Sequence, residues 1–344
     1  MVINMECRAF MSSLPANTFD SIVTDPPYGL SKQPNMREVL KHWLNGDDYT
    51  ATGGGFMGKS WDSFVPGPKT WEQAFRVLKP GGYAVVFAGS RTVDLMATSL
   101  RMAGFEVVDM LHWMYGSGFP KSQDIGKALD KTAGATREVI GRADGGIAGG
   151  SGEFTAGNAG TLGFKAEYDL TAPATDEAKQ WDGWGTAFKP CHEPIILCRK
   201  PLEGTYANNI MTHGCGALNI DGCRVGDEEM QRTKSNGIKI SENGSMAGGN
   251  YGRVAAEPSQ GRWPGNVLHD GCLPEPMDRY FYHAKASKAD RDEGMDGFAH
   301  KSAGECTGGR GEDRDGLNSP RAGAGRTSGA RNTHPTVKPT AVMQ

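Results

Sequence analysis

Strand and helix signals alternate over roughly the first 130 residues and predict an α/β fold built on a parallel, doubly wound sheet. Three observations carry this reading. Ser21-Ile22-Val23-Thr24 is a compact β-rich run that halts at Asp25-Pro26-Pro27. Tyr83–Ala88 is continuously apolar, as a strand covered on both faces is. The segments following these runs show apolar residues at helical spacing and end at glycine or proline.

In chain order, Val2–Asn4 is predicted as a short strand and Met5–Leu14 as a short helix stopped by Pro15. Ser21–Thr24 is the next strand. Thr70–Leu78 is predicted as a helix capped by Thr70, with Glu72 in its first turn and Lys79-Pro80-Gly81-Gly82 as its stop. Tyr83–Ala88 follows as a buried strand, Thr92–Met102 as a helix ending at Gly104, and Phe105–Tyr115 as another strand. Beyond Gly134 the pattern changes. Gly141–Gly163 is dense in glycine, alanine, serine and threonine, which reads as a long loop or insertion. Glu193–Cys198 is the last clear strand, and from Glu203 onward short apolar fragments lie among glycines and charges. Ala303–Asn332 is richest in Gly, Arg and Ser and is expected to be disordered without a partner.

Composition sets limits without naming a function. The chain has 344 residues, of which 38% are hydrophobic, enough for a core of one large or two small domains. Mean hydropathy of −0.49 reads as soluble. No stretch approaches the roughly 18 apolar residues of a membrane span. The N-terminus lacks the features of a signal peptide, so the cytoplasm is the expected compartment. Seven scattered cysteines, an odd number without a CxxC pair, argue for reduced, mostly structural thiols. His213, Cys215 and Cys223 lie close in sequence, but the Gly-flanked segment reads better as a turn, and no metal is expected. A net charge of −3 argues neither for nor against nucleic acid, because a local basic groove suffices to hold phosphates.

Asp25-Pro26-Pro27-Tyr28 directly follows a predicted strand, at the carboxyl edge where open α/β sheets bind ligands. An exocyclic amine is a poor nucleophile because its lone pair is delocalised into the ring. The Asp25 carboxylate and the Pro26 carbonyl form an acceptor pair that can hold both amine hydrogens and draw the nitrogen toward sp³ geometry. The two prolines stiffen the backbone so that this carbonyl points outward. Tyr28 offers an aromatic face for an extruded base.

At these residues the sequence resembles the DNA amino-methyltransferases, in the circularly permuted group where the catalytic motif precedes the cofactor motif. The resemblance runs from Leu14-Pro15-Ala16-Asn17-Thr18-Phe19-Asp20 into Asp25-Pro26-Pro27-Tyr28. It continues through Phe56–Asp62, Val77–Gly82, His112-Trp113, Gly118–Lys121 and Lys189–Pro194, and closes on His334-Pro335-Thr336-Val337-Lys338-Pro339. It implies a Rossmann-like sheet dependent on S-adenosylmethionine, with catalysis at Asp25, Pro26, Pro27 and Tyr28. The cofactor set it implies is Glu6, Asp25, His334, Pro335, Thr336 and Lys338. Thr336 and Lys338 would meet the cofactor's carboxylate, and Met5-Glu6 stands where the family prefers Gly-Asp. The implied substrate is double-stranded DNA, with adenine N6 favoured over cytosine N4. A homodimer is compatible with the resemblance.

The corresponding organisation is 1–134 as the catalytic half, 135–185 as the Gly-rich insertion and 186–202 as a return strand. Residues 203–332 would form the target-recognition region, and 333–344 the start of the cofactor segment. In the permuted group a helix, a strand and a Phe-x-Gly-x-Gly loop follow the cofactor motif. The chain ends at Gln344 without them, so the expectation is a fragment of a longer protein whose sheet lacks two strands. The alternatives are a catalytically inactive DNA-binding relic and an RNA or protein amino-methyltransferase. Pro190-Cys191 resembles the nucleophile of cytosine-C5 enzymes, but their companion Glu-Asn-Val segment is absent. His192 and Glu193 could form an acid–base pair, yet transfer from a sulfonium needs little acid help, so a structural role is favoured. Arg321, Arg326 and Arg331 lie in a run without acids, and are the expected phosphate contacts.

Overall fold

The computed structural model describes residues 3–29, 34–51, 63–116, 122–144, 167–235, 253–283, 292, 295–299, 338 and 343. The first half alternates as expected: α1 (Cys7–Ser13), β1 (Phe19–Thr24), α2 (Met36–Leu44), α3 (Pro68–Val77), β2 (Leu78–Phe87), α4 (Val93–Met102) and β3 (Glu106–Met114). Then come α5 (Ile125–Thr132), β4 (Val139–Asp144), β5 (Glu167–Thr171), α6 (Asp176–Gln180) and β6 (His192–Arg199). The rest contributes α7 (Tyr206–His213), β7 (Val225–Ser235), β8 (Arg253–Arg262), β9 (Val267–His269) and β10 (Tyr282–His283).

The main sheet has the order β1-β2-β6-β3-β9-β10. It is mixed, which corrects the expectation of a parallel sheet. β1 runs parallel to β2, and β9 parallel to β3 and β10, but β6 is antiparallel to both β2 and β3. Leu197 of β6 lies opposite Val85 on one side and Asp109 on the other. A continuous apolar run reports burial on two faces and carries no information about direction. β4 with β5, and β7 with β8, form separate hairpins.

Smaller differences have local causes. Ile3 and Asn4 are not in a strand. Gly67, not Thr70, precedes α3, because Pro68 takes the first helical turn where its missing N–H costs nothing. Leu78 enters β2 at once, and Lys79–Gly82, expected as a stop, form a bulge within that strand. Pairing with β1 jumps from Phe19↔Leu78 to Ser21↔Tyr83. Gly81 has φ of +78°, and the Asn209 amide occupies the space a β-carbon would need. That buried amide donates to the carbonyls of Pro80 and Cys215, both at 2.9 Å, and ties α7 to the bulge.

The core lies among α2, α3, α4 and the central strands. Val39, Trp43, Trp71, Leu95, Met96 and Leu100 pack with Val86, Ile196 and Cys198. Each fully buried side chain of this size contributes about 1.5–3 kcal/mol relative to exposure. The six described cysteines are free, and burial pushes the Cys198 thiol up to about 12. His213 bonds the Glu203 carboxylate at 2.8 Å, and the Cys215 thiol points at the Pro80 carbonyl. Among the described residues no cluster of His, Cys, Asp and Glu could hold a metal, and no helix is long and apolar enough to cross a membrane.

Asp130 of α5 anchors the segment before α6. Its buried carboxylate accepts from the Ala174 N–H (3.1 Å), the Thr175 N–H (2.9 Å), the Thr175 hydroxyl (2.8 Å) and Arg137 (3.0 Å). Burial opposes ionisation, but the N–H donors, the hydroxyl and the guanidinium together hold the carboxyl below its ordinary value. A lowered folded pKa means that the stabilisation is complete above the unfolded value of about 4 and fades as pH falls through the folded one. Asp130→Asn is therefore expected to lower the melting temperature at neutral pH and to lose part of the wild type's acid dependence. Thermal unfolding of both proteins across the acid range checks this; parallel curves would leave Asp130 without a role in acid stability.

Candidate active site

Asp25-Pro26-Pro27-Tyr28 leaves β1 at the carboxyl edge of the sheet. Local structure fixes its course. The buried Thr92, at the start of α4, donates its hydroxyl to the Tyr28 carbonyl at 2.6 Å. Gly29 then turns the chain with φ of +64°, and a β-carbon there would stand 2.9 Å from the Val65 nitrogen. Only glycine satisfies both the conformation and the space.

The Tyr28 hydroxyl donates to Glu193 Oε2 at 2.8 Å. The same oxygen accepts from Lys338 Nζ at 2.6 Å, and that ammonium lies 3.4 Å from Asp25 Oδ2. The Lys338 side chain is only 5% exposed, against 17% for Glu193 and 27% for Asp25. A buried ammonium persists only when charges and dipoles replace its water. Here two carboxylates do so, with the rings of Tyr28 and Phe87 at 5.3 Å and Trp113 at 5.7 Å from Nζ. Removing one partner of such a buried pair costs about 3–5 kcal/mol, because the other charge is left uncompensated.

Strand direction explains how Glu193 reaches this place. Because β6 is antiparallel, its beginning lies at the carboxyl edge, with Glu193 opposite Trp113 at the end of β3. Burial above all, then the charges of Glu193 and Asp25, push the Tyr28 phenol far above its ordinary value and keep it a donor. Tyr115 is pushed up to about 12 by burial and then by Glu193 and Cys191.

The structure thus brings together Asp25, Tyr28 and Lys338 of the residues singled out in the sequence. Glu6 lies at the head of α1. It caps α1, accepting from the Arg8 N–H at 3.1 Å and the Ala9 N–H at 2.8 Å, and these donors hold its carboxyl below the ordinary value. Its carboxylate bonds Cys7, Arg8 and Ala9, all within α1. His334, Pro335, Thr336, Arg321, Arg326 and Arg331 lie outside the described residues, as do Phe56–Asp62 and Gly118–Lys121. Cys191 offers its carbonyl to the Tyr115 N–H. Phe87 and Thr92 are neighbours of the site that the sequence did not point to, and Glu193, expected to be structural, bonds two of its side chains. A carboxylate at the head of the apolar run Pro194–Cys198 was the available signal, but a parallel strand would have put it at the opposite edge.

Among solved structures, the chain is similar to TTHA0409 from Thermus thermophilus, complexed with S-adenosyl-L-methionine. Identity is 13%, coverage is 60% of this chain and 56% of that one, and the TM-score is 0.27. The M1.HpyAVI–SAM complex gives 11% identity, 56% and 48% coverage, and a TM-score of 0.22. Superpositions this loose do not bear on function. In sequence, the chain is 24% identical over 148 residues to the type II methyltransferase M.HindIII of Haemophilus influenzae. That match takes in 42% of this chain and 35% of the relative, so it spans about a third of the relative's length. The sequence model of the DNA methylases matches residues 19–344, from β1 through Asp25 to the segment holding Lys338, and the chain therefore belongs to the DNA methylase family.

Proposed function

We propose that the chain carries the catalytic site of a site-specific DNA methyltransferase. It acts on the exocyclic amine of a flipped base, adenine N6 ahead of cytosine N4, with S-adenosylmethionine as donor. The observation that carries this is the convergence of Asp25, Tyr28, Glu193 and Lys338 at the carboxyl edge of the sheet. Membership of the DNA methylase family supports it and gives an RNA or protein amine no support.

The residues suit this donor. The cofactor carries a sulfonium cation and a carboxylate; the site offers the rings of Phe87 and Trp113 near the first and the Lys338 ammonium for the second. The buried Trp113 Nε1, without a hydrogen-bond partner among the described residues, is a further donor for a ligand acceptor. When bound, S-adenosylmethionine supplies an electrophilic methyl group. Asp25 and the Pro26 carbonyl hold the amine hydrogens and orient the nitrogen lone pair, and Tyr28 stacks on the base. By the resemblance, His334, Pro335 and Thr336 complete the cofactor site. The setting is the cytoplasm of a bacterial or phage-infected cell.

The test incubates the protein with methyl-labelled S-adenosylmethionine and, in parallel, bacterial DNA, RNA and protein, then locates the label and digests the DNA to nucleosides. Label in N6-methyladenine is the expected result; label only in RNA or protein would overturn the reading. Tyr28→Ala is expected to weaken capture of the flipped base by roughly 1–3 kcal/mol, the worth of one base–aromatic stack. Fluorescence of 2-aminopurine at the target position reads this directly, and an unchanged signal would remove Tyr28 from base binding.

DNA affinity should also depend on the basic run. If Arg321, Arg326 and Arg331 each neutralise one phosphate, changing them to glutamine lowers the salt slope of log K by about 0.9 per residue. Titrations of duplex DNA at several salt concentrations measure it, and parallel lines would exclude these arginines from the backbone contact.

A further inference from the structure

The proposed function assigns Tyr28 to the base and Lys338 to the cofactor, and one oxygen atom joins the two. Glu193 Oε2 accepts both the Tyr28 hydroxyl at 2.8 Å and the Lys338 ammonium at 2.6 Å. A carboxylate oxygen has two lone-pair sites, and these two donors match them. We infer that Glu193 is a positioning residue that couples cofactor occupancy to capture of the flipped base, and this inference rests on the reading above.

The geometry separates what is fixed from what can respond. Glu193 is held by β6, where it lies opposite Trp113 and is followed by the buried Pro194 and Ile195. The Tyr28 carbonyl is held by Thr92 at 2.6 Å, so the backbone is fixed independently of the contacts that orient the hydroxyl. Lys338 has a shorter contact with Glu193 than with Asp25, 2.6 against 3.4 Å. Its ammonium is therefore shared mainly with the oxygen that orients Tyr28.

A ligand carboxylate that draws on the Lys338 ammonium takes positive charge away from Oε2. That oxygen then becomes a stronger acceptor for the Tyr28 hydroxyl, and the ring is held more firmly in place for stacking. The reverse follows by linkage: a base that fixes the Tyr28 ring changes the affinity of the Lys338 side for its carboxylate by the same factor. Tyr28 and Lys338 also face each other directly, with Nζ 5.3 Å from the ring centroid, but a cation over a ring face does not choose the hydroxyl's direction. Glu193 does.

The experiment uses the full chain, S-adenosyl-L-homocysteine as an unreactive probe with the same amino-acid end, and a duplex carrying the methylation site mapped by sequencing. Calorimetry gives the affinity for the probe with and without saturating duplex, and the ratio is the coupling. For the wild type a ratio of roughly 5–150 is expected, the usual range for coupled sites. Glu193→Gln keeps the size and an acceptor but removes the charge, and is expected to bring the ratio to within about twofold of one. Tyr28→Phe keeps the ring and deletes the hydroxyl, and is expected to do the same; it also decides the matter if Glu193→Gln fails to fold. Combining the two should lower the ratio no further, because both break one link.

A wild-type ratio of one, or a wild-type ratio preserved in Tyr28→Phe or in folded Glu193→Gln, overturns the coupling role. Failure of the underlying reading looks different: wild-type protein would then transfer no label from S-adenosylmethionine to DNA at all.

Discussion

Asp25→Ala is expected to lower kcat for methyl transfer by at least about 10²–10³-fold, the scale set by removing one preorganised polar group at a reacting centre. Duplex affinity should stay close to wild type, because the carboxylate acts on the amine and not on phosphates. The structure supplies the control. Lys338 keeps its 2.6 Å bond to Glu193 when Asp25 is shortened, so the buried ammonium is not stranded and the site should remain folded. Asp25→Asn keeps the shape and one acceptor, and should fall between the two. Single-turnover assays with labelled S-adenosylmethionine, beside binding assays on the same duplex, separate chemistry from affinity. A variant with near-normal turnover would end the assignment of Asp25 as the amine acceptor.

The largest effect on stability is expected at the centre of the sheet. Ile196 of β6 is fully buried, pairs with Val86 of β2 and Met110 of β3, and belongs to the main core cluster. Ile196→Ala removes buried methyl groups and leaves a cavity between two ladders that cannot both move in, so the expected loss is about 2–5 kcal/mol. Val108→Ala serves as the comparison. Val108 lies in neighbouring β3 but is 45% exposed, so its change should stay within about 0.5 kcal/mol. Urea denaturation of the three proteins checks both values, and equal midpoints would contradict the packing described.

How far the sequence could be read depended on what each residue reports. Apolar spacing located β1, β2, β3, β6, α3 and α4 to within a few residues, because burial on one or two faces leaves a period. Asp25-Pro26-Pro27-Tyr28 was legible because its order is chemical: acceptors beside a stacking ring after a strand. α2 has the buried residues Val39 and Trp43 but lies in a polar stretch that drew no reading. β9 is only three residues long and carries the buried His269, so no periodicity marks it although it extends the main sheet. Strand direction left no trace in composition, and with it went Glu193. Glu6 is a different case, where one side chain carries two readings. A family position suggests the cofactor, and the side chain also satisfies N–H groups of its own helix, a capping role that the sequence reading did not name.

The reversed strand also sets an order of events for a chain emerging from a ribosome. β2 and β3 come early, yet they are not neighbours in the sheet; the slot between them belongs to β6, with paired residues such as Ala84 and Cys198 lying 114 positions apart. Until that segment is made, the edges of β2 and β3 that β6 covers have no partner. Such edges pair readily with the wrong chain. Closing the slot is a long-range event, which is intrinsically slow because a large loop must be drawn together first. Nascent chains halted before residue 192 should therefore be the aggregation-prone species in expression, and co-expressed chaperones should raise the yield of the whole chain through this one late insertion.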